Sequence, residues 1–95
     1  MPVQRLAREE IDQRLAALPD WELQGDKLCR SCRFADFSAA FAFMTRVALA
    51  AEQMDHHPEW SNVWNRVDIA LTTHDAGGIS QLDFDLAMRI DALLR

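Results

Sequence analysis

The sequence predicts an α+β domain: a four-stranded antiparallel sheet with three helices on one face, in the order α-β-β-α-β-β-α. Three observations lead there. Apolar residues recur at helical spacing in three separated stretches, 6–18, 37–54 and 79–93. Between these stretches lie two pairs of short segments in which apolar and polar residues alternate, as they do in half-buried strands. Each pair is joined by a tight-turn signal, which favours antiparallel neighbours over crossover units.

The first helix is read from Leu6, Ile11, Leu15 and Leu18, with charged residues between them, and Pro19 limits its extent. Trp21 and Leu23 then alternate with Glu22 and Gln24, and Gly25-Asp26 marks a hairpin turn. In the next strand Leu28, Cys32 and Phe34 share one face with Arg30 among them, while Cys29, Ser31 and Arg33 take the other. Asp36 or Ser38 caps the second helix, which runs to about Met54. Phe37, Phe41, Met44, Ala48 and Ala51 form one stripe on it, expected to cover the sheet. Phe43, Val47, Leu49 and Ala50 widen the apolar surface beyond that stripe, and a helix apolar most of the way round is usually buried on two sides. The second side is expected to meet a partner subunit.

After His56-His57-Pro58, Trp60, Asn62 and Trp64 alternate with Glu59, Ser61 and Val63, and Val67, Ile69 and Leu71 alternate with Asp68 and Ala70. A tight turn near Asn65-Arg66 joins these two strands. Gly77-Gly78 breaks the chain, Ser80 with Asp83 resembles a capping box, and Ile79, Leu82, Leu86, Ile90 and Leu93 make the last helical stripe.

The 95 residues make one domain, 1–95. A net charge of −5 with scattered arginines disfavours nucleic acid as a partner. No run of 18 apolar residues is present to span a membrane, and the first ten residues have no apolar core of a secretory signal, so a cytoplasmic protein is expected. Cys29 and Cys32 are the only cysteines. Their odd offset in a strand puts them on opposite faces, which suits two structural residues better than a metal or redox pair.

His56, His57 and His74 are the candidates for chemistry, because imidazole moves protons in either direction near neutral pH. The adjacent pair sits where Pro58 ends a helix, in the kind of turn that often carries function. Glu52, four residues before His56, is expected on the same helical face. Structural alternatives stand beside this reading. His56 could be a helix-end residue favoured by the dipole, His57 an exposed loop residue and His74 a strand-end residue bonded to backbone. A three-histidine zinc site is the sharper rival. Asp83 reads as a helix cap. Trp60 and Trp64 read as core residues or as surfaces on which a flat heterocycle stacks.

The run from Glu52 through His56-His57-Pro58 and Trp60 to Trp64, with His74 and Asp83 downstream, resembles the signature of the pterin-4a-carbinolamine dehydratase family. Leu18-Pro19-Asp20-Trp21, Phe34-Ala35-Asp36-Phe37, the segment Phe43 to Leu49, Thr73-His74 and Leu86-Ala87 look like the same family, and the likeness covers about residues 6 to 93. The resemblance implies a hydro-lyase that dehydrates a 4a-hydroxytetrahydropterin, without metal or other cofactor, in tetrahydropterin recycling. It implies His56, His57 and His74 as the catalytic set and Glu52, Asp55, Pro58, Trp60 and Thr73 as substrate-binding residues. Glu52 would orient His56 or contact the pterin, and Trp60 would shape the pocket. It further implies a homodimer or homotetramer and a functional link to an aromatic amino-acid hydroxylase.

Overall fold

In a computed structural model that describes residues 3–95, the elements follow the predicted order. They are α1 (Arg8–Leu15), β1 (Glu22–Gln24), β2 (Lys27–Arg33), α2 (Phe37–Met54), β3 (Glu59–Val63), β4 (Arg66–Leu71) and α3 (Gln81–Leu93), with a 3₁₀ turn at His74–Ala76. The sheet is antiparallel throughout, in the order β1-β2-β4-β3. Its inner strands are therefore β2 and β4, and Leu28 pairs with Leu71, Arg30 with Ile69 and Cys32 with Val67. Those side chains point to the helix-covered face, where Leu28, Val67, Ile69 and Leu71 are buried against Phe43 and Val47 of α2 and Leu86 and Ile90 of α3.

Local chemistry places the boundaries. Gly25, at φ 61°, and Asp26 form the two-residue loop between Gln24 and Lys27. Asp36 is the cap of α2, its carboxylate accepting the Ala39 N–H at 2.8 Å. Cys29 and Cys32 fall on opposite faces, and Cys32 is buried in the core. Arg30 sits on the core side, where its guanidinium donates to Asp91 of α3 at 2.7 Å. Trp21 Nε1 donates to the same Asp91 oxygen at 2.8 Å, so one carboxylate ties β2, α3 and the segment before β1 together.

Two expectations are corrected. The stripe of α2 packed in the core is Ala40, Phe43, Val47 and Ala51, with Met44 partly buried against it, so Met44 and Ala51 of the expected stripe do face inward, whereas Phe37 and Phe41 are 51% and 55% exposed and Ala48 is exposed. Both stripes have helical spacing, and the packed one is selected by fit: Phe43 meets Phe34 with ring centroids 4.9 Å apart. The second correction concerns Trp64, which is not a strand residue. Because Val63 pairs with Arg66, the two-residue loop falls on Trp64 and Asn65, one position earlier than expected. Trp64 adopts φ 49° and is exposed there. The loop is pinned through Asn65, whose backbone and side chain both bond Phe34.

Candidate active site

The site begins at the end of α2. Asp55 closes the helix in a left-handed conformation, φ 50°, which Asp tolerates better than most residues. Its N–H and that of His56 bond back to the carbonyls of Ala51 and Glu52, satisfying the helix end. This turn carries His56 off the face of α2 that Glu52 occupies. Glu52 consequently meets the other histidine: its Oε1 lies 2.8 Å from His57 Nε2, in an exposed pair. The expectation that Glu52 orients His56 is corrected on this ground.

His56 turns inward instead. The residue is buried, and its Nε2 lies 2.6 Å from Oδ1 of Asp83, which is fully buried in the first turn of α3. Asp83 Oδ2 accepts the Ser80 N–H at 2.9 Å and the Thr73 hydroxyl at 2.8 Å. The Thr73 and Ser80 hydroxyls are 2.6 Å apart, and the Leu82 N–H donates to Ser80 Oγ at 3.2 Å. The capping box read from Ser80 and Asp83 is present. What spacing did not reveal is that the capping carboxylate also holds a histidine 27 residues away. The readable signal is a carboxylate on the helical face shared with the apolar Ile79, Leu86 and Ala87, a position where burial demands partners.

His74 follows Thr73 directly and opens the 3₁₀ turn that closes on the Thr73–Gly78 bridge. Its side chain is exposed. The network thus brings His56 together with Thr73 and Asp83, and the chain sets His57 and His74 each one residue from a member of it. Pro58 leads from His57 into β3. Trp60 stands on the helix side of β3, half-buried against the core and paired with Ile69. Imidazoles held at one end of a sheet, one of them seated on a buried carboxylate, can accept and return protons.

A cavity of about 510 Å³ lies elsewhere. It spans the open face of the sheet, lined in part by Glu22, Cys29, Ser31, Glu59 and Asp68, with Trp60 in its wall and no histidine. Its polar groups are mutually engaged: Lys27 with Glu59 at 2.6 Å and Ser31 with Asp68 at 2.6 Å. Burial pushes both the Cys29 and Cys32 thiols above their ordinary range, which keeps them protonated and poor as ligands or nucleophiles. Among the described residues no three His, Cys, Asp or Glu side chains are grouped to hold a metal ion. Among the described residues no helix is long and apolar enough to cross a membrane.

Comparison with known proteins agrees with this fold. A family model described as pterin 4 alpha carbinolamine dehydratase matches residues 4–93. A relative from Rhizorhabdus wittichii that bears this dehydratase's name is 62% identical over 95 residues, with 98% of each chain covered. Another so named, from a Synechococcus strain, is 58% identical over 88 residues, covering 93% of this chain and 95% of its own. A solved structure from Brucella melitensis, described as a transcriptional coactivator/pterin dehydratase, superposes with a TM-score of 0.91 at 44% identity, covering 95% of this chain and 98% of that one. A pterin dehydratase-like protein described as a RuBisCO assembly factor in the alpha-carboxysome superposes with a TM-score of 0.67 at 26% identity, covering 78% and 88%. With the His-His-Pro turn, the buried Asp83 and the α-β-β-α-β-β-α order in common view, the chain belongs to the pterin-4α-carbinolamine dehydratase family.

Proposed function

We propose that the protein is a hydro-lyase that converts 4a-hydroxytetrahydropterin to quinonoid dihydropterin and water. In this reaction the C4a–O bond breaks and the hydroxyl leaves with a proton as water. N5 gives up its proton, and its electron pair forms the N5=C4a double bond. No electrons are gained or lost overall. The reaction asks for an acid at the departing hydroxyl and a base at N5, and histidine fills either role near neutral pH. The observation that carries the reading is His56, seated by Asp83 at 2.6 Å, with His57 beside it and His74 next to Thr73 of the same network. His56, His57 and His74 form the catalytic set in this reading, and Glu52, Asp55, Pro58 and Trp60 frame the substrate.

The substrate is the product of a tetrahydropterin-dependent hydroxylation, which links the protein to an aromatic amino-acid hydroxylase and to tetrahydropterin recycling. Cys29 and Cys32 are free thiols, as suits the reducing cytoplasm. The chain acts as a homodimer or homotetramer. The support is the exposed apolar side of α2, where Phe37 and Phe41 pack on each other with centroids 5.8 Å apart and Leu49 lies in solvent.

Two measurements test the reading. The decay of chemically generated 4a-hydroxytetrahydropterin is followed with and without the protein, and a rate unchanged by the protein overturns it. Sedimentation equilibrium is expected to give a multiple of 10.9 kDa, and Phe41→Glu is expected to lower it. A mass fixed at 10.9 kDa refutes the oligomer.

A further inference from the structure

The hydrogen bonds around Asp83 fix where the proton of neutral His56 sits. Backbone amides are donors only, so Leu82 N–H must give to Ser80 Oγ and Ser80 N–H to Asp83 Oδ2. Thr73 Oγ1 lies between Ser80 Oγ at 2.6 Å and Asp83 Oδ2 at 2.8 Å. A carboxylate offers no proton, so Thr73 donates to Asp83 and Ser80 donates to Thr73. The reverse order would leave two acceptors facing each other at the Thr73–Asp83 contact. With Oδ2 engaged by two donors, an ionised Asp83 accepts from His56 through Oδ1, and Nε2 then carries the hydrogen in the 2.6 Å bond.

Nδ1 is then the nitrogen with a free lone pair. It makes no hydrogen bond among the described residues, yet no buried side-chain nitrogen or oxygen is left without a partner. Nδ1 is therefore the point at which this mostly buried ring, 8% exposed as a residue, reaches solvent.

From this geometry we propose that Nδ1 of His56 is the atom that exchanges a proton with substrate, and that Thr73 and Ser80 are positioning residues that fix this choice through Asp83. The inference rests on the dehydratase reading and assigns the atom within it. Thr73, which the family resemblance places at the substrate, acts here through a hydroxyl turned toward the carboxylate. When Nδ1 takes up a proton the ring becomes a cation beside Asp83, and when it returns the proton the neutral Nε2–H tautomer is restored. The ring thus cycles without reorganising its buried bonds.

Histidine-selective ¹⁵N NMR of the ligand-free protein, at a pH where the ring is neutral, reads the tautomer directly. The expected wild-type spectrum shows His56 protonated at Nε2 and bare at Nδ1. Thr73→Val is expected to mix the two tautomers and lower kcat at least about 10-fold, through loss of one bond to a charged acceptor, with KM within about twofold. Thr73→Ser is expected to restore both. A wild-type His56 protonated at Nδ1 overturns the proposal, and this spectrum decides even if Thr73→Val does not fold. A folded Thr73→Val protein with unchanged spectrum and kcat overturns the positioning role. The expected tautomer without turnover of 4a-hydroxytetrahydropterin by the wild type would sink the dehydratase reading and the substrate half of the proposal, leaving the role of Thr73 and Ser80 intact.

Discussion

His56 and His57 are chain neighbours, each with a carboxylate at hydrogen-bond distance, and the two pairs differ in almost everything else. His56 meets Asp83 at 2.6 Å with side-chain exposures of 9% and 0%, and the carboxylate accepts two further protein donors. His57 meets Glu52 at 2.8 Å with exposures of 59% and 80%. The first carboxylate cannot turn away, because its other oxygen is held by Thr73 and Ser80. The second belongs to a long exposed side chain that gives up rotamer freedom to hold its partner. A fixed orientation is what proton transfer to a bound substrate requires, so burial and not the pairing itself separates the two residues.

The comparison can be broken most severely at Asp83. Replacement by alanine leaves His56 Nε2–H, the Thr73 hydroxyl and the Ser80 N–H without their acceptor, and is expected to destabilise the fold by about 3 kcal/mol or more. Urea unfolding reads this directly, and an unchanged midpoint would mean that the buried network contributes nothing. His56→Ala is expected to lower the dehydration rate about 10²-fold or more. Its urea midpoint should fall less than that of Asp83→Ala, since only one donor is removed. Equal losses of rate from His56→Ala and Glu52→Gln would show that the buried pair has no privileged role.

Smaller effects sharpen the contrast. Glu52→Gln should change stability by less than about 1 kcal/mol, and the difference should shrink as salt is raised. A salt-insensitive effect would place that pair in a drier setting than its exposure indicates. The smallest effect on rate is expected from replacing both cysteines by serine, since neither touches the histidine network. Burial of Cys32 gives that change a stability cost of about 1 kcal/mol. Burial holds both thiols protonated to higher pH than usual, so alkylation of the folded protein should lag a free thiol at neutral pH and gain on it as pH rises. Rapid labelling at pH 7 would contradict this.

Much of the fold is legible locally. Asp36 caps α2, Gly25-Asp26 turns the first hairpin, and alternation orders the strands, because each signal acts within a few residues. The stripes of α2 could not be ranked that way. Phe37 and Phe41 repeat as regularly as Phe43 and Val47, and only packing against Phe34, β4 and α3 decides which pair lies inside. The site shows the same division. The histidines stand out by residue type, whereas the left-handed turn at Asp55 separates His56 from Glu52 and hands each a partner that linear spacing does not assign. Alternation alone extends the strand to Trp64, and the register of Val63 with Arg66 places that residue in the loop instead.

Asp83 belongs to the first turn of α3, and that turn is also the cap that starts the helix. Competence of the site is therefore inseparable from docking of the last helix. Any fluctuation that frays the start of α3 releases His56 before the sheet is disturbed, so activity would vanish through a local opening cheaper than global unfolding. Native-state hydrogen exchange would then show the Asp83 amide, which bonds the Ser80 carbonyl at 3.2 Å, opening together with loss of turnover. A pterin that binds only the assembled site would slow that exchange by mass action.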